Sequence, residues 1–135
     1  MIKGEKDLNK LLKSMNPILD PREFVFCTVQ KYELEKINII PVCQFQEKEG
    51  ITLIIEKSEA EKNNLQFVYP CKMITLTVHS NLNAVGFMAA VTNKLAEYEI
   101  STNVVSAYYH DHLFIPVEKA EQALQILIQS FTDAK

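Results

Sequence analysis

The chain has 135 residues, 47% of them apolar, which is enough to bury the core of one compact domain or two very small ones. Its charged fraction is 23% and its formal net charge −3, with ten basic and eleven acidic groups in residues 1–70 and four and six in residues 71–135. Such a balance offers no long-range attraction to phosphate backbones, so no nucleic-acid partner is expected, and no run approaches the ~20 apolar residues that cross a bilayer, so no membrane is expected either.

The opening MIKGEKDLNKLL lacks the apolar stretch of a secretory signal. The three cysteines, Cys27, Cys43 and Cys71, are odd in number, have no Cys-x-x-Cys spacing and lie in or beside apolar runs. They read as free thiols of a reducing compartment, and a cytoplasmic location is expected.

In chain order, Leu8, Leu11, Leu12 and Met15 mark one stripe of a helix over about residues 6–15, which Asn16-Pro17 ends. Strands are expected over 24–29, 42–47 and 51–56, the last two as a hairpin turning near Gly50, while residues 30–40 carry no clear signal. Ser58 to Asn64 suits a short helix with Ser58 as its N-cap, and Leu65 to Tyr69 a strand ending at Pro70.

Ile74, Leu76 and Val78 alternate with Thr75, Thr77 and His79, the period of a strand with one buried face. A polar loop follows, then a helix over about 85–98 with Phe87, Val91 and Leu95 on one side. Strands over about 102–109 and 113–117 lead to a closing helix whose apolar stripe is Ala120, Ala123, Leu124, Leu127, Ile128 and Phe131.

A shift of 62 positions lays Glu49-Gly50-Ile51-Thr52-Leu53-Ile54-Ile55-Glu56-Lys57-Ser58-Glu59 on Asp111-His112-Leu113-Phe114-Ile115-Pro116-Val117-Glu118-Lys119-Ala120-Glu121. Both stretches read as turn, strand and acidic helix start, and each half of the chain reads as helix, strand, strand, helix with one extra strand. The fold class expected is α+β: two tandem ferredoxin-like βαββαβ units, residues 1–70 and 71–135, each an antiparallel sheet with helices on one face.

The stretch from His79-Ser80-Asn81-Leu82-Asn83-Ala84-Val85-Gly86-Phe87 through Glu99-Ile100-Ser101-Thr102-Asn103-Val104 resembles the opening of an ACT domain: strand, polar loop, glycine, apolar helix, second strand. With Glu49-Gly50-Ile51-Thr52-Leu53-Ile54 and Tyr108 to Pro116, nearly the whole chain resembles a group of small, mostly bacterial tandem ACT proteins. The resemblance implies a regulatory binder of amino acids or related metabolites, without an assigned reaction. It carries ligand binding to the loop Ser80, Asn81, Leu82, Asn83, Ala84, Val85, Gly86 and Phe87, and to Asn103 and Val104. Free N–H groups at a helix start attract a carboxylate, and the loop's Asn and Ser side chains add donors and acceptors.

Other chemistries draw on neighbouring residues of the same stretch. His110 and His112 share a face if extended and, with Asp111, are ligand types for zinc or nickel, but no third ligand cluster is evident and a polar hairpin tip is the reading preferred, with no metal expected. Cys71 or Ser80 with His79 and Asp111 would be a catalytic set, yet nothing in sequence joins them. No nucleophile elbow, phosphate loop or dinucleotide fingerprint is present, so neither enzyme activity nor a cofactor is expected. Exposed strand edges and Tyr108, Tyr109 and Phe114 favour a homodimer, and a ligand-free pairing module is the alternative function.

Overall fold

A computed structural model describes residues 4–132 of the chain. By internal contacts the chain divides into two compact units, Arg22–Cys71 and a second made of residues 1–21 with 72–135.

The first unit begins with β2, Phe24–Val29, followed by the one-turn helix α2, Lys31–Leu34. The Glu33 carboxylate accepts the Gln30 N–H at 2.7 Å, which starts that turn in a stretch without apolar period. The hairpin of β3, Cys43–Gln46, and β4, Ile51–Glu56, pairs Cys43 with Ile54 and Gln46 with Ile51. Helix α3, Lys57–Lys62, follows β4 without a loop. Its N-cap is Glu56, not Ser58, because the ladder to β2 holds Glu56 extended opposite Phe24 and the chain turns immediately after it. Val25, Cys27, Val29, Leu53, Ile55 and Ala60 form the core. The first residues of β5, Val68–Leu76, complete the sheet in the order β3-β4-β2-β5.

Pro70 does not end a strand. Phe24 pairs with Cys71 and Phe26 with Val68, so two residues, Tyr69 and Pro70, stand opposite Val25 alone. This is a β-bulge, where a missing N–H costs no ladder bond, and Tyr69 has φ +62° there.

The second unit holds α1, Leu8–Ser14, and β1, Pro17–Leu19, from the chain's start. It continues with the end of β5, then α4, Phe87–Glu97, the hairpin of β6, Asn103–Ser106, and β7, Asp111–Pro116, and α5, Ala120–Leu127. A π-helical turn, Ile128–Thr132, extends α5. The strand order is β1-β5-β7-β6, with Pro17 opposite Leu76 and Leu19 opposite Ile74. Leu11 and Met15 of the first helical stripe lie in one core with Ile74, Leu76, Phe87, Val91, Leu95, Leu113, Ile115 and Leu127.

Each unit therefore contains a full βαββαβ set. In the second the closing strand is β1, supplied by the start of the chain. The sequence boundary at 70/71 lies one residue from the break between units, whereas residues 1–21 pack with the later part of the chain. The β6–β7 hairpin is tighter than its sequence suggests: Ala107 N–H donates to His110 O, and Tyr108 and Tyr109 are exposed at the tip. Phe114, by contrast, is buried.

Candidate ligand-binding site

The candidate loop is shaped by local hydrogen bonds at one end and by a glycine at the other. Asn81 Oδ1 accepts the Asn83 N–H at 2.7 Å and Asn81 O accepts the Ala84 N–H, which folds the loop back on itself. Gly86 is the N-cap of α4 with φ +92°, a conformation that L side chains rarely adopt. A Cβ there would meet Leu8 Cδ2 at 3.7 Å, an ordinary contact, so the glycine is required by its backbone angle and not by lack of space. No side chain caps α4, and the N–H groups of Phe87, Met88 and Ala89 have no acceptor among the described residues.

The chain's first described residues hold the other side of the loop. Glu5 N–H donates to His79 O and Asn81 N–H to Glu5 O, each at 2.8 Å, making a parallel bridge between Glu5 and Ser80. Gly4, at φ +81°, lies so close that a Cβ would stand 2.9 Å from Asn81 N and Ser80 C.

Beneath the loop, Ser80 and Asp111 are the buried polar residues among those described, 9% and 5% exposed. Ser80 Oγ donates to Asp111 Oδ2 at 2.8 Å and Ser106 Oγ to Oδ1 at 2.5 Å. Ser106 and Asp111 are directly opposed across the β6–β7 ladder, so their side chains share one face.

These elements enclose a cleft of about 220 Å³ lined by Ser80, Asn81, Leu82, Ala84, Gly86 and Phe87, with Met88, Ala89, Ser106 and Asp111. Six of the loop residues singled out in sequence thus meet at one cavity. Asn83 does not line it, nor does Val85, which is 84% exposed. Asn103 and Val104 are outside it as well; Ser106, further along β6, takes that place. Sequence reasoning missed Ser106 as a wall and Gly4 and Glu5 as supports. The first sits in a short strand with no motif, and the others are distant in sequence from the loop they hold.

The histidines do not converge with the carboxylate between them. Nδ1 of His112 is 2.9 Å from Thr75 Oγ1 and Nδ1 of His110 is 3.3 Å from Val78 O, while Asp111 is engaged by the two serines. Alternation along β7 places Asp111 on the opposite face from His112. Among the described residues no three His, Cys, Asp or Glu side chains are grouped to hold a metal ion.

Burial lowers the pKa of His112 from its ordinary 6.5, and the neighbouring His110 adds to this against a smaller opposing pull from Asp111. The folded state therefore favours neutral imidazole. The stability this confers is present above pH 6.5 and lost as pH falls below it toward the folded value, where the unfolded chain binds a proton the native one resists. Melting curves of wild type and His112→Gln across that interval check the sign: the fall in melting temperature on acidification should be smaller in the variant.

Cys71 is no nucleophile in this setting. Its thiol donates to Phe24 O at 3.4 Å, and burial pushes its pKa up to about 12, so the thiolate is not populated near neutrality. Burial raises Cys27 also. Ser80 is bonded to a carboxylate and to no imidazole, so no serine–histidine pair forms.

Comparison with protein-family models matches an ACT domain over residues 3–72 and another over 68–129. The chain belongs to the ACT domain family. Its tandem ACT domains account for the doubled βαββαβ pattern, and membership supports a regulatory, ligand-binding role in general. No match was found among curated proteins.

Among solved structures, a protein of unknown function from Vibrio cholerae, described as a possible transport protein, is 46% identical, with 92% of this chain and 95% of that one covered and a TM-score of 0.82. The ligand-free regulatory subunit of aspartate kinase from Thermus thermophilus is 13% identical over 88% of this chain and 99% of its own, TM-score 0.64. Aspartokinase III of E. coli, in complex with aspartate and ADP, is 13% identical over 84% of this chain and 32% of its own, TM-score 0.60. At that identity the last two share the fold. No helix among the described residues is long and apolar enough to cross a membrane.

Proposed function

We propose that this tandem ACT protein binds a small carboxylate-bearing metabolite, an amino acid or a close relative, in the cleft between the Ser80–Phe87 loop and the start of α4, and acts as a regulator rather than as an enzyme. The observation that carries the reading is the uncapped N-terminus of α4. Three N–H groups without acceptors among the described residues, at the positive end of an eleven-residue helix, border a cavity of about 220 Å³. That volume is below the ~300–1,000 Å³ of sites for drug-sized ligands and suits a metabolite. The family match and the fold shared with an aspartate kinase regulatory subunit support regulatory use. In this reading the protein is cytoplasmic and homodimeric.

A thermal-shift screen with amino acids, 2-hydroxy acids and 2-oxo acids tests it. A concentration-dependent rise in melting temperature is expected by linkage, reaching about 2.7 kcal/mol of added stability at one hundred times Kd. Gly86→Val, which forces a β-branched residue to φ +92°, should abolish the rise by deforming the start of α4. A flat response to all three classes, with a stable dimer by light scattering, would instead select the ligand-free pairing module.

A further inference from the structure

We infer that the first ACT domain carries a binding site of its own, a pocket beside β2 that takes an uncharged, ring-bearing molecule. It goes beyond the cleft proposed above and shares no residue with it.

The pocket follows from how β2 meets β5. Tyr69 and Pro70 bulge opposite Val25, and Phe26 with Val68 is the last pair of that ladder. Past it, Gln66 and Phe67 pair with no residue of β2, while β2 runs on to Val29 beside β4. The gap is a cavity of about 370 Å³, lined by Phe26, Thr28, Thr52 and Val68 together with Gln66 and Phe67. Phe26 opposes Val68 and Thr28 opposes Thr52, so these four side chains share the face of the sheet turned away from the core residues Val25 and Val29.

One wall is braced by strain. Tyr69, at φ +62°, holds a left-handed conformation that a bulky residue keeps only where its surroundings impose it. Its ring meets that of Phe26 edge-on, with centroids 5.5 Å apart and planes at 89°. A bulge re-aims side chains, and this one sets Tyr69 against the Phe26 wall.

The lining fixes the class of ligand. It contains no charged side chain, and Cys27, which also reaches the cavity, adds none because burial raises its pKa and keeps the thiol protonated. Another cavity of the same domain, about 400 Å³, is lined by Lys31, Glu35, Glu47 and Lys48, so the lack of charge is particular to this pocket. An ion entering it would shed water without meeting a counter-charge. Phe26, Phe67 and Val68 offer apolar faces to a ring. The Thr52 hydroxyl is engaged with Glu47 Oε1, whereas the Thr28 hydroxyl and the Gln66 carboxamide have no hydrogen-bond partner among the described residues and can serve one neutral polar substituent. The volume, about that of a dozen waters, falls within the ~300–1,000 Å³ of small-molecule sites.

Methyl NMR of the full chain titrated with 2-naphthol tests the site, because Thr28, Thr52 and Val68 each carry a methyl group. Saturating shifts are expected at those three, with Ala84 and Ala89 of the α4 cleft unmoved. 2-Naphthoate and 2-naphthylmethylamine, an anion and a cation near neutral pH, should bind about 10-fold more weakly than 2-naphthol, the penalty of a charge without a partner. Thr28→Asp, at an exposed position, should weaken 2-naphthol by a similar factor. If that change disturbs β2, Val68→Lys at the 66% exposed rim should do the same. No saturating shift at the three methyls, a charged analogue that equals or exceeds 2-naphthol, or an unchanged affinity in either folded variant overturns the site. Movement of the same signals on dilution of the ligand-free protein also overturns it, since a second copy would then occupy the face. Every readout lies in the first domain, so these outcomes leave the α4 cleft untouched, and failure of that cleft leaves this pocket standing.

Discussion

Leu11→Ala should destabilise the second ACT domain by about 2–5 kcal/mol and leave the first nearly untouched. Leu11 is fully buried in one core with Ile74, Leu76, Val91, Leu95 and Leu127, although it lies far from all of them in sequence. Truncating it removes contacts that a neighbouring helix cannot refill without moving α1, and the cavity left behind adds to the lost transfer energy. Hydrogen exchange read by mass spectrometry separates the domains: amides of α4 and β7 should exchange faster, those of β2 and β4 should not. Equal acceleration in β2 and β4 would mean that residues 1–21 belong energetically with the first domain. The same reasoning forecasts that residues 72–135 expressed alone lack both the closing strand β1 and the buried face of α1.

Gly4→Ala should cost more stability than Gly86→Ala. The positive φ by itself costs about 1–3 kcal/mol for a residue with a side chain. The added Cβ would also stand 2.9 Å from Asn81 N and Ser80 C, both backbone atoms that cannot swing aside. Relief requires the Glu5 strand to part from the loop, which breaks the two 2.8 Å bonds that join Glu5 to His79 and Asn81. Gly86→Ala has comparable backbone strain but free space, with Leu8 Cδ2 at 3.7 Å, so it should cost less. Denaturant melts of the two variants test that order. Gly4→Ala should also weaken ligand binding in the cleft, because Ser80 is held by this bridge on one side and by Asp111 on the other. An unaltered affinity would show that the loop keeps its shape without the chain's start.

Periodicity made most of the elements legible. The Phe87, Val91, Leu95 stripe and the Ile74, Leu76 alternation depend on 3.6- and 2-residue repeats that burial itself imposes, and all five side chains are buried. Local signals failed where a non-local ladder overruled them. Ser58 looks like an N-cap, yet pairing of Glu56 with Phe24 moved the helix start forward. Pro70 looks like a strand end, yet the bulge against β2 absorbs it within β5. β1 left no trace in sequence, since three residues beginning with a proline show no period, and it is defined only by its pairing with Ile74 to Leu76.

The candidate site divides in the same way. The amino-acid sequence by itself determined the ACT pattern and the loop from Ser80 to Phe87, because a polar loop, a glycine and an apolar helix stripe are contiguous and their meaning is local. Tertiary structure alone decided what stands around that loop. It brought Gly4 and Glu5 across from the start of the chain, turned Ser106 and Asp111 to one face of a hairpin and buried the carboxylate, while His110 and His112 found separate partners. Burial and charge pairing depend on neighbours far away in sequence, and those neighbours exist only once the chain has folded.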